Sequence, residues 1–165
     1  MHPAAEQWCA QAITESGPWD GARVLDLGGR DVNGTALDAF TCEVEAHVLD
    51  IAPGDGVTVV ADARTWTPTH AFHAVTCTEV LEHVQGWPAL VWTCWRALQP
   101  GGLLLVTAAG PGRQPHSAVD GLTLRDGEWY QNVQPAVLAD VLDACGFGEV
   151  DIDERPGDVY AAAWK

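Results

Sequence analysis

The chain has 165 residues, 47% of them hydrophobic, and sets 23 Asp and Glu against 8 Lys and Arg for a formal net charge of −15. That length suits one domain, which buries about 70% of its unfolded surface and needs neither a metal nor a disulfide staple to fold. The acidic balance speaks against direct binding to nucleic-acid phosphate or an anionic membrane. No apolar run approaches the ~18 residues of a membrane span, and residues 1–20 lack a signal-peptide pattern, so a soluble, cytoplasmic protein is expected. Cys9, Cys42, Cys77, Cys94 and Cys145 are odd in number, widely spaced and without a C-x-x-C pair. They read as reduced packing residues.

Residues 4–16 place Trp8, Cys9, Ala12 and Ile13 on one helical stripe, stopped by Gly17-Pro18. The run RVLDL at 23–27 reads as a buried parallel strand ending in the tight turn Gly28-Gly29. A short helix is expected over 34–40, then strands at 46–50, 57–61 and 72–77. Pro88 opens a helix that turns Val91, Trp95 and Leu98 to one side, with Pro100-Gly101-Gly102 as its stop before an apolar strand at 103–107. Residues 110–133 have no period and read as a long loop, the natural lid. Pro135 opens a helix with Val137, Leu138, Val141, Leu142 and Cys145 inward, capped by Gly146. A hairpin over 149–154 and 159–164, turned by Pro156-Gly157, closes the chain. Strands alternating with helices predict an α/β fold: one Rossmann-like, doubly wound, seven-stranded sheet, mostly parallel, with a C-terminal antiparallel hairpin.

Ligands of such sheets bind beyond the carboxyl ends of the strands, which directs attention to Asp26, Gly28, Gly29, Asp50, Asp62 and residues 77–83. Gly28 and Gly29 permit a sharp turn and close approach of a ligand, and Asp50, about 20 residues on, is placed to accept hydrogen bonds from a ribose diol. The dinucleotide pattern G-x-G-x-x-G fails, because Arg30 and Asn33 stand at its second and third glycine positions. Asp26 and Asp31 flank the turn and would repel a pyrophosphate, whereas they suit a ligand bearing an ammonium and a sulfonium. S-adenosylmethionine is such a ligand.

Five segments taken in order carry a family likeness: VLDLGGRDVNG from residue 24, VLD at 48–50, VVADAR at 59–64, AVTCTEVLEHV at 74–84 and ALQPGGLLLVT at 97–107. Over residues 21–109 the chain resembles the class I S-adenosylmethionine-dependent methyltransferases of the small-molecule, methyltransferase domain 11-like type, and DACGFGEVDID at 143–153 is similar to that family's final helix and hairpin. The resemblance implies that Asp26, Gly28 and Gly29 meet the methionine end of the cofactor, Asp50 and Ile51 the ribose and adenine, Asp62 and Ala63 the adenine edge, and Thr78 and Glu79 the far wall. S-adenosylhomocysteine would be the product. The first motif departs from the usual G-x-G-x-G, with Gly28, Arg30 and Val32 at its three positions and Gly34 beyond. A subset of the family is similar in pairing R-D-V-N-G with a P-G-x-G-V segment, here 53–57.

Methyl transfer from a sulfonium needs chiefly that donor and acceptor be held in line. An acceptor hydroxyl or protonated amine also needs a base, and the candidate catalytic residues are His116, His83 and Glu79. His116 leads, because it shares the 110–133 loop with Asp120, Glu128, Trp129 and Tyr130. Glu79, Glu82 and His83 at i, i+3 and i+4 would share one helix face, with His116 as a fourth ligand, magnesium being the first ion to consider and zinc the next. The same E-x-x-E-H string is widespread in relatives that use no metal, so none is expected. Trp92 and Trp95 are expected against the sheet or against a second chain, which leaves a homodimer open. The expected partner is a small or medium-sized acceptor, methylated at O, N or C; neither nucleic acid nor membrane is expected. No N-P-P-Y string or Pro-Cys pair follows the fourth strand, which speaks against DNA-base methylation. Two other readings stand beside this one: a methyltransferase-like assembly subunit without transfer activity, and a nicotinamide-dependent enzyme.

Overall fold

The structure, a computed structural model, describes residues 2–68 and 71–165. Helix α1 spans Pro3–Ser16 and precedes the sheet, whose strands are β1 (Arg23–Leu27), β2 (Glu45–Asp50), β3 (Val59–Val60), β4 (Phe72–Thr78), β5 (Leu98–Ala109), β6 (Glu149–Arg155) and β7 (Asp158–Trp164). Helix α2 (Pro88–Ala97) joins β4 to β5, and α3 (Pro135–Cys145) leads into β6. The sheet order is β3-β2-β1-β4-β5-β7-β6. The first five strands run parallel, and β7 lies antiparallel between β5 and β6.

The apolar strands are buried because both faces of the sheet are covered. Leu90, Val91 and Cys94 of α2 and Leu138, Leu142 and Cys145 of α3 pack on one face with Leu25, Val75, Leu104 and Val106. Ile13 of α1, with Phe40, packs on the other against Val24, Leu103 and Leu105. Surface scaling gives roughly 7,900 Å² for a chain of this mass, and the accessible surface is 7962 Å². All five cysteines are free, and all but Cys42 are buried. Among the described residues no helix is long and apolar enough to cross a membrane.

Local departures from expectation have local causes. The third strand is two residues long instead of five; just before it the Thr58 hydroxyl takes the place of a backbone carbonyl in accepting from the Val48 amide (2.8 Å), while the Thr58 amide still donates to the Val48 carbonyl (2.9 Å). Residues 34–40 form only a 3-10 turn at Ala36–Ala39, entered through Gly34 at φ 90° and capped by the Thr35 hydroxyl. Pro100-Gly101-Gly102 does not separate helix from strand. It forms an irregularity inside β5, where the register shifts between Phe72 and Ala74 of β4, and Gly101 and Gly102 bond the backbone of Lys165. Val137 faces outward at 47% exposure, and Trp92 is equally exposed with its ring edge-on to Trp95. Trp92 therefore does not pack on the sheet.

Candidate active site

β1 is where the chain turns from building the sheet in one direction to building it in the other: β2 and β3 lie to one side, β4 and β5 to the other. That switch point opens a crevice at the carboxyl ends of β1 and β4, and a cleft of about 440 Å³ lies there. Asp26, Gly28, Gly29, Asp50, Ile51, Asp62, Ala63, Thr78, Glu79 and His83 all line it. Nine of these are the positions the sequence points to for the cofactor, and His83 is one of the candidate bases.

Asp26 forms the floor. It is 1% exposed, and its carboxylate accepts from the Thr76 hydroxyl of β4 (2.8 Å) and from the Thr35 hydroxyl (2.8 Å). Burial raises its pKa, and those two hydrogen bonds work against the rise. Gly28 has φ 77°, and a β-carbon there would overlap the Val80 side chain, so the turn after β1 needs glycine on both counts. Asp50 ends β2 with Oδ2 accepting from the Arg30 amide (3.3 Å) and Oδ1 from the Ala52 amide (2.9 Å). Each oxygen keeps a lone pair for a ligand hydroxyl. Asp62 is turned onto its own neighbour: Arg64 Nη2 donates to Oδ2 at 2.7 Å and Arg64 Nε to Oδ1 at 3.0 Å, which lowers the Asp62 pKa.

Glu79 has φ 57°, an uncommon conformation for a residue with a side chain and one that recurs at functional sites. The strain is held by β5, whose Thr107 accepts from the Glu79 amide (2.8 Å) and donates its hydroxyl to Glu79 Oε1 (2.8 Å). Glu79 Oε2 lies 3.7 Å from His2 Nε2 at the start of α1, and the same imidazole nitrogen is 3.4 Å from Asp158 Oδ1, itself paired with Arg113 at 2.6 Å. Sequence reasoning missed His2, Asp158 and Arg113, which share no motif and meet where the start of α1, the loop after β5 and the start of β7 come together.

The expected helix carrying Glu79, Glu82 and His83 on one face is not there. The chain leaves β4 through the left-handed Glu79 and makes a 3-10 turn at Leu81–His83, so the three side chains do not share a helix face. Glu82, His83 and His116 do converge, with one potential ligand atom from each lying within 4.8 Å of the others. Glu82 is fully buried, Oε1 accepts from the Ala109 amide (3.0 Å), and Oε2 has no partner. Burial, then the charge of Glu79, pushes its pKa up to about 8. His83 Nδ1 is also buried without a partner, and burial followed by the His116 charge brings its pKa down to about 4. The rings of His83, His116 and Tyr130 meet edge to face with centroids 4.9–5.4 Å apart.

His116 itself does not line the cleft. It stands behind His83 and faces a second, open cavity bounded by Arg113, Gln114, Leu122 and Pro156. The loop that carries it has no regular secondary structure over residues 110–133, yet it is tied down. Asn132 Nδ2 donates to the Gly110 and Arg113 carbonyls, Glu128 accepts from Ser117 and from the Arg125 amide, and the Gln131 amide donates to the Glu82 carbonyl. From this loop Ala118 and Trp129 reach the cleft.

A seven-stranded sheet of this order, with carboxylates and a glycine turn at its switch point, defines the class I S-adenosylmethionine-dependent methyltransferase architecture. A family model described as a methyltransferase domain matches residues 4–150, and the chain belongs to that family. Among curated proteins it is similar to a ubiquinone biosynthesis O-methyltransferase of Xanthomonas oryzae pv. oryzae, 35% identical over 105 residues, covering 53% of this chain and 43% of that one. A ubiquinone biosynthesis O-methyltransferase of Xylella fastidiosa is 33% identical over 114 residues, 58% of this chain and 45% of that one. The chain thus spans less than half the length of the curated relatives it matches. Among solved structures, a Burkholderia thailandensis 1,6-didemethyltoxoflavin-N1-methyltransferase with bound 1,6-didemethyltoxoflavin and S-adenosylhomocysteine superposes with TM-score 0.71 at 17% identity, covering 98% of this chain and 78% of that one. An S-adenosylmethionine-dependent methyltransferase from Mesorhizobium loti gives 0.70 at 17% identity and 99% of each chain.

Proposed function

We propose that this domain binds S-adenosylmethionine in the β1/β4 cleft and transfers its methyl group to a small or medium-sized acceptor bearing a hydroxyl or amine. The observation that carries the reading is the convergence of Asp26, Gly28, Gly29, Asp50, Asp62 and Glu79 on one cleft. These residues fit the cofactor: a glycine cradle that a β-carbon would fill, and carboxylates for a ribose diol and for cationic groups. S-adenosylmethionine, when bound, supplies an activated methyl group. The protein then has to bind, orient and exclude water, tasks suited to Asp26, Asp50 and the Trp129 lid. His83 lines the cleft, and because burial leaves it uncharged and weakly basic it would take the acceptor's proton only as methyl transfer makes that proton acidic, with His116 behind it to relay the proton outward. Glu79 is the wall of the cleft and the alternative base.

A second reading of the Glu82–His83–His116 group is favoured by its two unpartnered buried atoms: these side chains would hold a divalent ion. Without Glu79 the set is two imidazoles and one carboxylate, which suits zinc or a similar transition metal better than magnesium. Such an ion would act as a Lewis acid on an acceptor oxygen. The relatives' printed names support an O- or N-acceptor, and the free cysteines support a cytoplasmic protein. The exposed Trp92 marks the face where a second chain would dock in a homodimer or in a noncatalytic assembly subunit. The first test is transfer from labelled S-adenosylmethionine to a panel of phenols, catechols and amines. Label incorporation lost in His83→Ala supports the reading, whereas incorporation unchanged in both His83→Ala and Glu79→Gln removes the assigned bases.

A further inference from the structure

The second glycine position of the cofactor loop is filled by Arg30, a large cationic residue. Its side chain leaves the loop toward the segment that follows β2: a β-carbon built on Gly54 would lie 2.6 Å from Arg30 Cδ and 2.7 Å from Cγ. Gly54 is thus the bed on which the Arg30 stem lies. This contact gives a physical reason for two sequence peculiarities, R-D-V-N-G and P-G-x-G-V, to occur together. Arg30 lines the cleft beside Asp50 and Ile51, its amide donates to Asp50 Oδ2, and its Nε is buried without a partner.

The buried, unpaired Nε N–H is costly as it stands, and Arg30 lines a cleft in which a ligand could give its guanidinium a partner. Asp50 offers only acceptors, whereas each hydroxyl of a ribose diol both donates and accepts. Asp50 satisfies the hydroxyl hydrogens and leaves the hydroxyl oxygens in need of a donor on the same side. Resting on the cofactor reading above, we propose that Arg30 is a ligand-binding residue of this cleft: with Asp50 it holds the ribose of the adenosine cofactor, its guanidinium donating to a diol oxygen, and Gly54 is glycine to seat it. The Arg30 stem lies against Gly54, in the segment after β2 and beyond Asp50, so the partner proposed is the ribose and not the amino-acid end of the cofactor.

Calorimetric titration with S-adenosylhomocysteine and with 5′-methylthioadenosine, which keeps the ribose and lacks the amino-acid end, tests this on the full chain. Arg30→Ala should weaken both ligands by the same factor, about tenfold, the scale of one charge-assisted hydrogen bond. Gly54→Ala should reproduce the loss, and the Arg30→Ala/Gly54→Ala double variant should bind no worse than Arg30→Ala alone, since residues acting through one contact are non-additive. Unchanged affinity for both ligands in a folded Arg30→Ala would overturn the proposal, and loss confined to S-adenosylhomocysteine would reassign Arg30 to the amino-acid end. Additive losses would remove the Gly54 seat. Wild-type protein that binds neither ligand would remove the cofactor reading itself, and with it any ribose for Arg30 to hold.

Discussion

Gly29 lies so close to Asp26 that a β-carbon at residue 29 would overlap the Asp26 carboxylate. Asp26 cannot swing aside without breaking its bonds to Thr35 and Thr76. Gly29→Ala should therefore destabilise the fold by about 1–3 kcal/mol through overpacking and should abolish S-adenosylhomocysteine binding. Denaturant unfolding and calorimetry on the same sample check the two effects, and wild-type affinity in this variant would mean that Asp26 does not shape the cleft.

Asp50→Ala removes the acceptor for the Arg30 and Ala52 amides as well as the assigned partner of the ribose. Cofactor affinity should fall by about 1–3 kcal/mol, the scale for hydrogen bonds to a charged group. A folded variant with unchanged affinity would withdraw the ribose assignment.

Much of this geometry was legible in the sequence because it follows from strand ends. Once 23–27, 46–50 and 72–77 are read as parallel strands, Asp26, Asp50 and Thr78 must fall at one edge of the sheet, and the glycine pair fixes the turn. Backbone events decided by single residues were not legible. The left-handed Glu79 depends on two bonds to Thr107 across the sheet, and no local pattern marks it. It breaks the continuous helix on which the i, i+3, i+4 spacing depends, and the side chains that converge are Glu82, His83 and His116. The Arg30–Gly54 contact was visible only as two oddities in one chain, and the placement of His2 between Glu79 and Asp158 had no sequence signal.

Glu82 and His83 give opposite pH signatures. Glu82, raised from 4.5 to about 8, keeps its proton in the folded protein and loses it in the unfolded chain, so its contribution to stability falls as pH rises from about 4.5 to 8. His83, lowered from 6.5 to about 4, stays neutral in the folded protein, and its contribution is lost as pH falls from 6.5 toward 4. The two offset each other below pH 6.5 and leave Glu82 alone above it. Between pH 6.5 and 8, Glu82→Gln should remove a downward slope approaching 1.4 kcal/mol per pH unit. Parallel stability curves for wild type and Glu82→Gln across that range would contradict the buried-acid description.

The acid–base and metal readings of the histidine pair separate on chelator-treated protein. The acid–base reading predicts no stoichiometric zinc uptake and a methyl-transfer rate unaffected by chelation. One zinc per chain, lost in His116→Ala and in Glu82→Gln, would establish the metal reading, and a dependence on magnesium would agree with neither donor set.

Whether the β1/β4 cleft is a site for S-adenosylmethionine can be read by titrating the purified wild-type chain in the calorimeter with S-adenosylhomocysteine, S-adenosylmethionine and NAD. A cofactor cleft gives one site per chain with micromolar affinity for the first two ligands and no heat from NAD. A folded protein that takes up neither sulfur ligand, or that binds NAD instead, would contradict that assignment.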